Sequence, residues 1–253
     1  MPTRSHVASL KISHETRERF VAATEAVIAP VGQAIQERLS ALANQTGNAR
    51  EMQENRDGML AFQAMGAKWV AASQAAWRKS LAQSTADGPS SSNSLSRLEL
   101  IGDEVVETSI LSSRLAQSIQ DKASFDLNDL RLRIQHLEGT TEFGSRDILK
   151  PEALAKVLVD QWLASGLSRG IWTKVQEQVQ GILVDAVVKA YKEANSFLIA
   201  QEVMPEIDLK SFVRRAGAPN SGNGALGGGG GGGSGGAGGA PAGNAVPQQM
   251  RGG

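Results

Sequence analysis

The chain has 253 residues, with 26 basic against 26 acidic side chains and no cysteine. Balanced charge sets up no large field to gather phosphate backbones or anionic lipid, so nucleic acid is not the expected partner. The lack of cysteine excludes disulfides, thiolate nucleophiles and cysteine metal sites together, and it suits a reducing cytoplasm.

Met1 to His6 lead into a charged segment, not an apolar signal core, and no apolar run approaches the roughly 20 residues that a membrane helix needs. A soluble, cytoplasmic protein without membrane contact is expected. Phe20, Val27, Val31, Ile35, Leu39 and Leu42 then recur at helical spacing on one stripe. Ser13 is the expected N-cap, Pro30 predicts a kink or a break, and Thr46-Gly47-Asn48 ends the element. A second helix is expected from about Arg50 to Gln83, with Met59, Phe62, Trp69, Ser73 and Trp77 near one face, and it pairs with the first as an antiparallel hairpin.

Ser84 to Ser94 is a cluster of turn formers and small polar residues and makes the best internal boundary. Beyond Leu98, Leu100 and Ile101, the carboxylates of Asp103 and Glu104 mark a helix start that runs to about Lys122. A further helix follows with Leu127, Leu130, Ile134 and Leu137, and Gly139 is its stop. Residues 144–150 connect to Pro151 at a first helical position, followed by Leu154, Val157, Leu158 and Trp162 on one face and closed by Gly166. From Trp172 to Leu198 a single apolar face persists for about eight turns, a helix of roughly 45–50 Å. Met204-Pro205 ends it.

From Ala218 onward the chain is almost only small and polar residues, with Arg251 as the single charge, so it has nothing to bury against ordering entropy. The expected architecture is all-α, a bundle of six to seven helices with a disordered glycine-rich tail. Its parts are an N-terminal hairpin over 1–83, a polar linker over 84–96, a C-terminal bundle with one long helix over 97–217, and the tail over 218–253.

No candidate site survives its context. Gly166-Leu167-Ser168-Arg169-Gly170 matches the Gly-x-Ser-x-Gly nucleophile elbow, but helix precedes it, and His6, His14 and His136 all lie before the serine. Ser168 reads as the N-cap of the long helix. Gly233-Ser234-Gly235-Gly236-Ala237-Gly238 fits a dinucleotide fingerprint by chance within low complexity, without the strand and helix that would make it one. The three histidines lack zinc spacing, and Asp103, Glu104 and Glu107 read as partners of a helix dipole. A single Arg251-Gly252-Gly253 is too little for strand binding. Trp69, Trp77, Trp162 and Trp172 read as core anchors. No catalytic, cofactor-binding or metal residue is assigned, and no cofactor is expected.

Three stretches carry a resemblance. They are Gly47 to Glu51 with Phe62; Leu98 to Glu107 with Ser113-Arg114-Leu115-Ala116; and Ala190 to Leu198 leading to Val203-Met204-Pro205-Glu206. Together they resemble the N-terminal region of a proteobacterial family catalogued as domain of unknown function 1631, over nearly all of residues 40–210. The resemblance implies a long helical cytoplasmic protein and supplies no catalytic residues to carry over. The chain departs from the family at Ile148-Leu149-Lys150-Pro151, where members have Asn-Pro-Leu, and it ends in its glycine-rich tail where members continue, as a short version or a truncated product would. Some members carry the label thymidine phosphorylase, but the folded region here has no phosphate-cradling glycine motif.

The function expected from these features is a non-catalytic helical interaction or regulatory module that binds a protein partner or itself through apolar helix faces. The alternative is an enzyme or small-ligand protein with a site assembled between helices, such as the phosphorylase named among relatives.

Overall fold

The computed structural model describes residues 5–84 and 103–207, and among these it holds five α-helices and no strand. In chain order they are α1 (His6–Ala43), α2 (Ala49–Ser84), α3 (Asp103–Glu138), α4 (Pro151–Ala164) and α5 (Arg169–Ala200), all within the compact unit Met1–Ile207. The chain is all-α, as expected. There are five helices instead of six to seven because Ala123, Ser124 and Phe125 contain no breaker, and α3 runs through the expected boundary at Lys122 as one helix. The linker beyond Ser84, the apolar Leu98, Leu100 and Ile101, and the glycine-rich tail lie outside the described residues.

The start of α1 corrects a second expectation. Ser5, not Ser13, is the N-cap: it is extended at φ −63° and ψ 143°, and its Oγ accepts from the Ala8 N–H at 3.3 Å. Ser13 lies inside the helix and is buried. α1 also passes through Pro30 without ending. Pro30 and Ala26, whose carbonyl loses its helical donor there, are both exposed, so water can satisfy that carbonyl at low cost. α2 opens with a capping pair, Asn48 Oδ1 accepting from the Glu51 N–H at 2.8 Å while Asn48 Nδ2 donates back to the Glu51 carboxylate at 3.3 Å. Gly139 (φ 68°) and Gly166 (φ 90°) adopt the left-handed conformation expected of helix stops.

Helix directions follow from cross-links. Asn55 donates to the Leu42 carbonyl at one end of the α1–α2 pair, and Gln74 donates to the Glu25 carbonyl at the other, so the two run antiparallel. α5 is antiparallel to α1, with Phe20 stacked on Tyr191 at 5.0 Å and, near the other end, Leu39 and Ile171 both against Gly58. Trp69 Nε1 donates to the Leu158 carbonyl and Trp77 Nε1 to that of Leu154, which sets α4 antiparallel to α2. α3 runs parallel to α5, tied from Glu107–Arg169 through Lys122–Asp185 to Arg133–Asn195.

One core unites the helices. α1 contributes Phe20, Ile28, Val31, Ile35 and Leu39 at steps of three, four or eight, all at most 1% exposed. The four tryptophans are buried, and Trp162 is the centre of an aromatic cluster with Phe62 at 5.7 Å, Trp69 at 5.3 Å and Trp172 at 5.2 Å. α1 and α2 approach closely where a Cβ on Gly32 would sit 2.9 Å from Val70 Cγ2, so a larger side chain there would require Val70 or its helix to shift.

Ser73 lies on α2 one turn from both Trp69 and Trp77, fully buried, and its Oγ has no hydrogen-bond partner. A buried hydroxyl left unpaired costs about 1–3 kcal/mol. Ser73→Ala is therefore expected to leave stability unchanged or raise it by up to about 1 kcal/mol, helped by the better helix propensity of alanine. Urea denaturation followed by far-ultraviolet circular dichroism checks this; a loss above about 1 kcal/mol would show that the hydroxyl is bonded in solution.

Candidate functional site

The serine of the Gly-x-Ser-x-Gly match sits where the sequence places it, in the turn between α4 and α5. Its Oγ accepts from the Ile171 N–H at 3.4 Å, and its carbonyl accepts from Trp162 Nε1 at 2.9 Å. Both contacts secure the start of α5. His6 and His14 lie on the first turns of α1 and His136 on the last turn of α3, so the structure brings none of the three into this turn. His14 instead lies 3.3 Å from Glu18 on its own helix.

Beside that turn, α3, α4 and the start of α5 border an open groove of about 980 Å³. Its charged groups pair with each other: Glu107 with Arg169 at 3.2 Å and Lys156 with Asp160 at 2.8 Å. Of the acidic trio at the start of α3, Glu107 is thus an ion-pair partner, and the side chains of Asp103 and Glu104 lie outside the described residues. Among the described residues no group of three or more acidic or histidine side chains could hold a metal ion.

The most concentrated polar constellation is buried. Arg17 is 3% exposed and Asp147 is 2% exposed. Arg17 Nε donates to both Asp147 oxygens at 3.2 Å, and Nη2 donates to Oδ2 at 2.6 Å. Nη1 donates to Glu138 Oε1 at 2.7 Å and to Ser13 Oγ, which itself donates to Glu138. Asp147 Oδ1 also accepts from the Leu149 N–H at 3.0 Å. Burial opposes the charge on Arg17, but hydrogen bonds and attraction from Asp147 and Glu138 outweigh it and raise the guanidinium pKa. Next to this cluster the Tyr191 hydroxyl donates to the Leu149 carbonyl at 2.7 Å. Burial pushes its pKa well up, with Glu152 and Asp147 adding to the effect, so the phenol stays neutral and keeps its proton on that bond.

A second arginine closes the other side of α5. Arg133 Nη1 donates to Asn195 Oδ1 at 2.7 Å and Nε to the Met204 carbonyl at 3.3 Å, while Asn195 Nδ2 donates to the Asp126 carbonyl at 2.7 Å. This clamps α3 to α5 and to the exit turn, where Glu202 (φ 56°) and Met204 (φ 42°) hold conformations that side chains seldom adopt.

Sequence reasoning missed both arginine centres. The available signal was Arg17 itself, which falls on the apolar stripe between Ser13 and Phe20 where a charge needs a partner. The partners lie 121 and 130 residues away, so spacing alone names neither. Chemically, both centres have their donors and acceptors bound to one another, the arrangement of a fastener between helices.

The stretches that carry the family resemblance have the same character where they are described. Asn48 and Glu51 cap α2, Tyr191 and Asn195 pin α5 to its neighbours, and Met204 receives Arg133. In comparisons with known proteins, the family model described as "Protein of unknown function (DUF1631) N-terminal domain" matches residues 9–202. No curated protein matches the chain, and no solved structure does. Over the span that builds all five helices, the chain belongs to the DUF1631 family as its N-terminal domain.

Proposed function

We propose that this chain is a non-catalytic helical interaction module of the cytoplasm, which docks an amphipathic helix of a protein partner on the outer side of α3. One observation carries this reading. Val106, Ile110 and Phe125 are 47%, 45% and 88% exposed, on the side of α3 opposite its buried stripe of Leu115, Ile119, Leu130 and Ile134. An uncovered phenylalanine keeps its apolar area in water, which costs about 25 cal/mol per Å² relative to burial. Ile110 and Phe125 lie about 22 Å apart along α3 at 1.5 Å per residue, so a partner helix with an apolar stripe of about four turns would remove that cost. Arg114 and Asp121, exposed on the same helix, supply charges of both signs to fix its register. The closed arginine centres favour a rigid platform over a catalyst. No described helix is long and apolar enough to cross a membrane, and the cysteine-free composition fits a reducing compartment.

The test is retention of a partner from lysate of the source cell on the full chain, run side by side with Phe125→Asp and Ile110→Asp. Both side chains are exposed, so the variants are expected to keep the wild-type circular dichroism melt while losing at least tenfold of the retained partner. Equal retention by the variants, self-association as the sole species retained, or a saturable catalytic activity in the purified protein would each overturn the reading.

A further inference from the structure

Apart from the outer face of α3, a cleft combines apolar surface with two cations that form no ion pair among the described residues. It lies between α3 and the segment leading into α4, with a volume of about 360 Å³, within the range of small-molecule sites. Leu127 and the small uncovered part of Phe143, a residue 7% exposed, supply its apolar surface. Arg131 and Lys150 line the same cleft.

These two cations have no acidic partner within ion-pair distance among the described residues. Arg131 Nη2 donates to the neutral Asn128 Oδ1 at 2.7 Å, one turn back on α3. That bond holds the guanidinium in place without neutralising it. The one carboxylate lining the cleft, Glu152, is bonded to Gln120 Nε2. With two cations and one anion, the cleft carries a net charge of about +1, beside a floor that favours apolar contact.

We propose that this cleft binds a small organic monoanion with a flat apolar body, such as an aryl carboxylate or sulfonate. Its charged group lies with Arg131 and Lys150, where a planar guanidinium can offer two parallel donors to a carboxylate or sulfonate. The body rests on Phe143 and Leu127. The combination selects against two simpler classes of ligand. A neutral aromatic leaves both cations unanswered, and an inorganic anion leaves the floor in contact with water. The inference is independent of partner docking on α3, since it invokes neither Phe125 nor Ile110.

The test is a fluorescence titration of the full chain with 1-anilinonaphthalene-8-sulfonate, an aryl sulfonate, followed by competition with benzoate, benzyl alcohol and inorganic phosphate. One saturable site is expected, displaced by benzoate at least tenfold more effectively than by benzyl alcohol or phosphate. Arg131→Gln combined with Lys150→Gln is expected to raise the probe's Kd at least tenfold. Gln replaces two side chains that make no ion pair, so the double variant should keep the wild-type melt. If that melt is nonetheless lost, the single variant Arg131→Lys, which keeps the charge and removes the two-donor fork, is expected to weaken benzoate at least threefold. Absence of saturable binding, unchanged affinity in the variants, or displacement by phosphate as effective as by benzoate would overturn the proposal.

Discussion

Arg17→Met is expected to destabilise the domain by about 3–5 kcal/mol, the range for removing one partner of a buried ion pair. Much of the typical 5–15 kcal/mol stability of a domain would be lost. The cost comes chiefly from what remains. Asp147, 2% exposed, would keep a carboxylate with only the Leu149 N–H as a donor, and Ser13 and Glu138 would lose the guanidinium they share. Urea denaturation monitored by circular dichroism measures the effect. The double variant Arg17→Met with Asp147→Leu separates the strength of the pair from the penalty of orphaning one member. It is expected to recover at least half of the loss, because two apolar side chains can pack where two charges had to be desolvated. A single-variant loss below about 1 kcal/mol would show that the centre is hydrated and open in solution.

Trp162→Ala is expected to cost about 3–5 kcal/mol, the range for large aromatic truncations in a core. Trp162 is 0% exposed and touches aromatic rings from α2 and α5, so deleting it opens a void that three helices would have to close. It also removes the donor that its Nε1 supplies to the Ser168 carbonyl at the start of α5. Trp162→Phe keeps most of the ring volume and is expected to lose less than half as much. Thermal melts of the two variants against wild type distinguish them; equal losses would assign the effect to the Ser168 bond and not to packing.

How far the sequence could be read is clearest at Ser168 and Ser13. Ser168 follows a glycine that ends one helix and precedes an unbroken apolar stripe, and its role as a cap is set by neighbours within three residues. Ser13 has equally favourable local chemistry for a cap, but Ser5 takes that role and Ser13 is used inside the core, bonded to Glu138. The merged α3 has the same cause. Its apolar positions Ile119, Ala123, Leu127 and Leu130 keep steps of three or four through Lys122, no glycine or proline stands there, and packing on α4 and α5 holds it as one helix.

The sequence by itself determined the helical class, the stops at Gly139 and Gly166, the long α5 and the burial of all four tryptophans. Each of these depends on backbone propensity or on apolar period, and both act over a few residues. Only the tertiary structure decided which charges are fasteners and which remain unanswered. Arg17 finds Asp147 across 130 residues, Arg133 finds Asn195 across 62, and Arg131 and Lys150 share a cleft whose one carboxylate, Glu152, is bonded to Gln120. Such pairings are set by which helix faces meet when apolar area leaves water, a property of the whole bundle that no local spacing encodes.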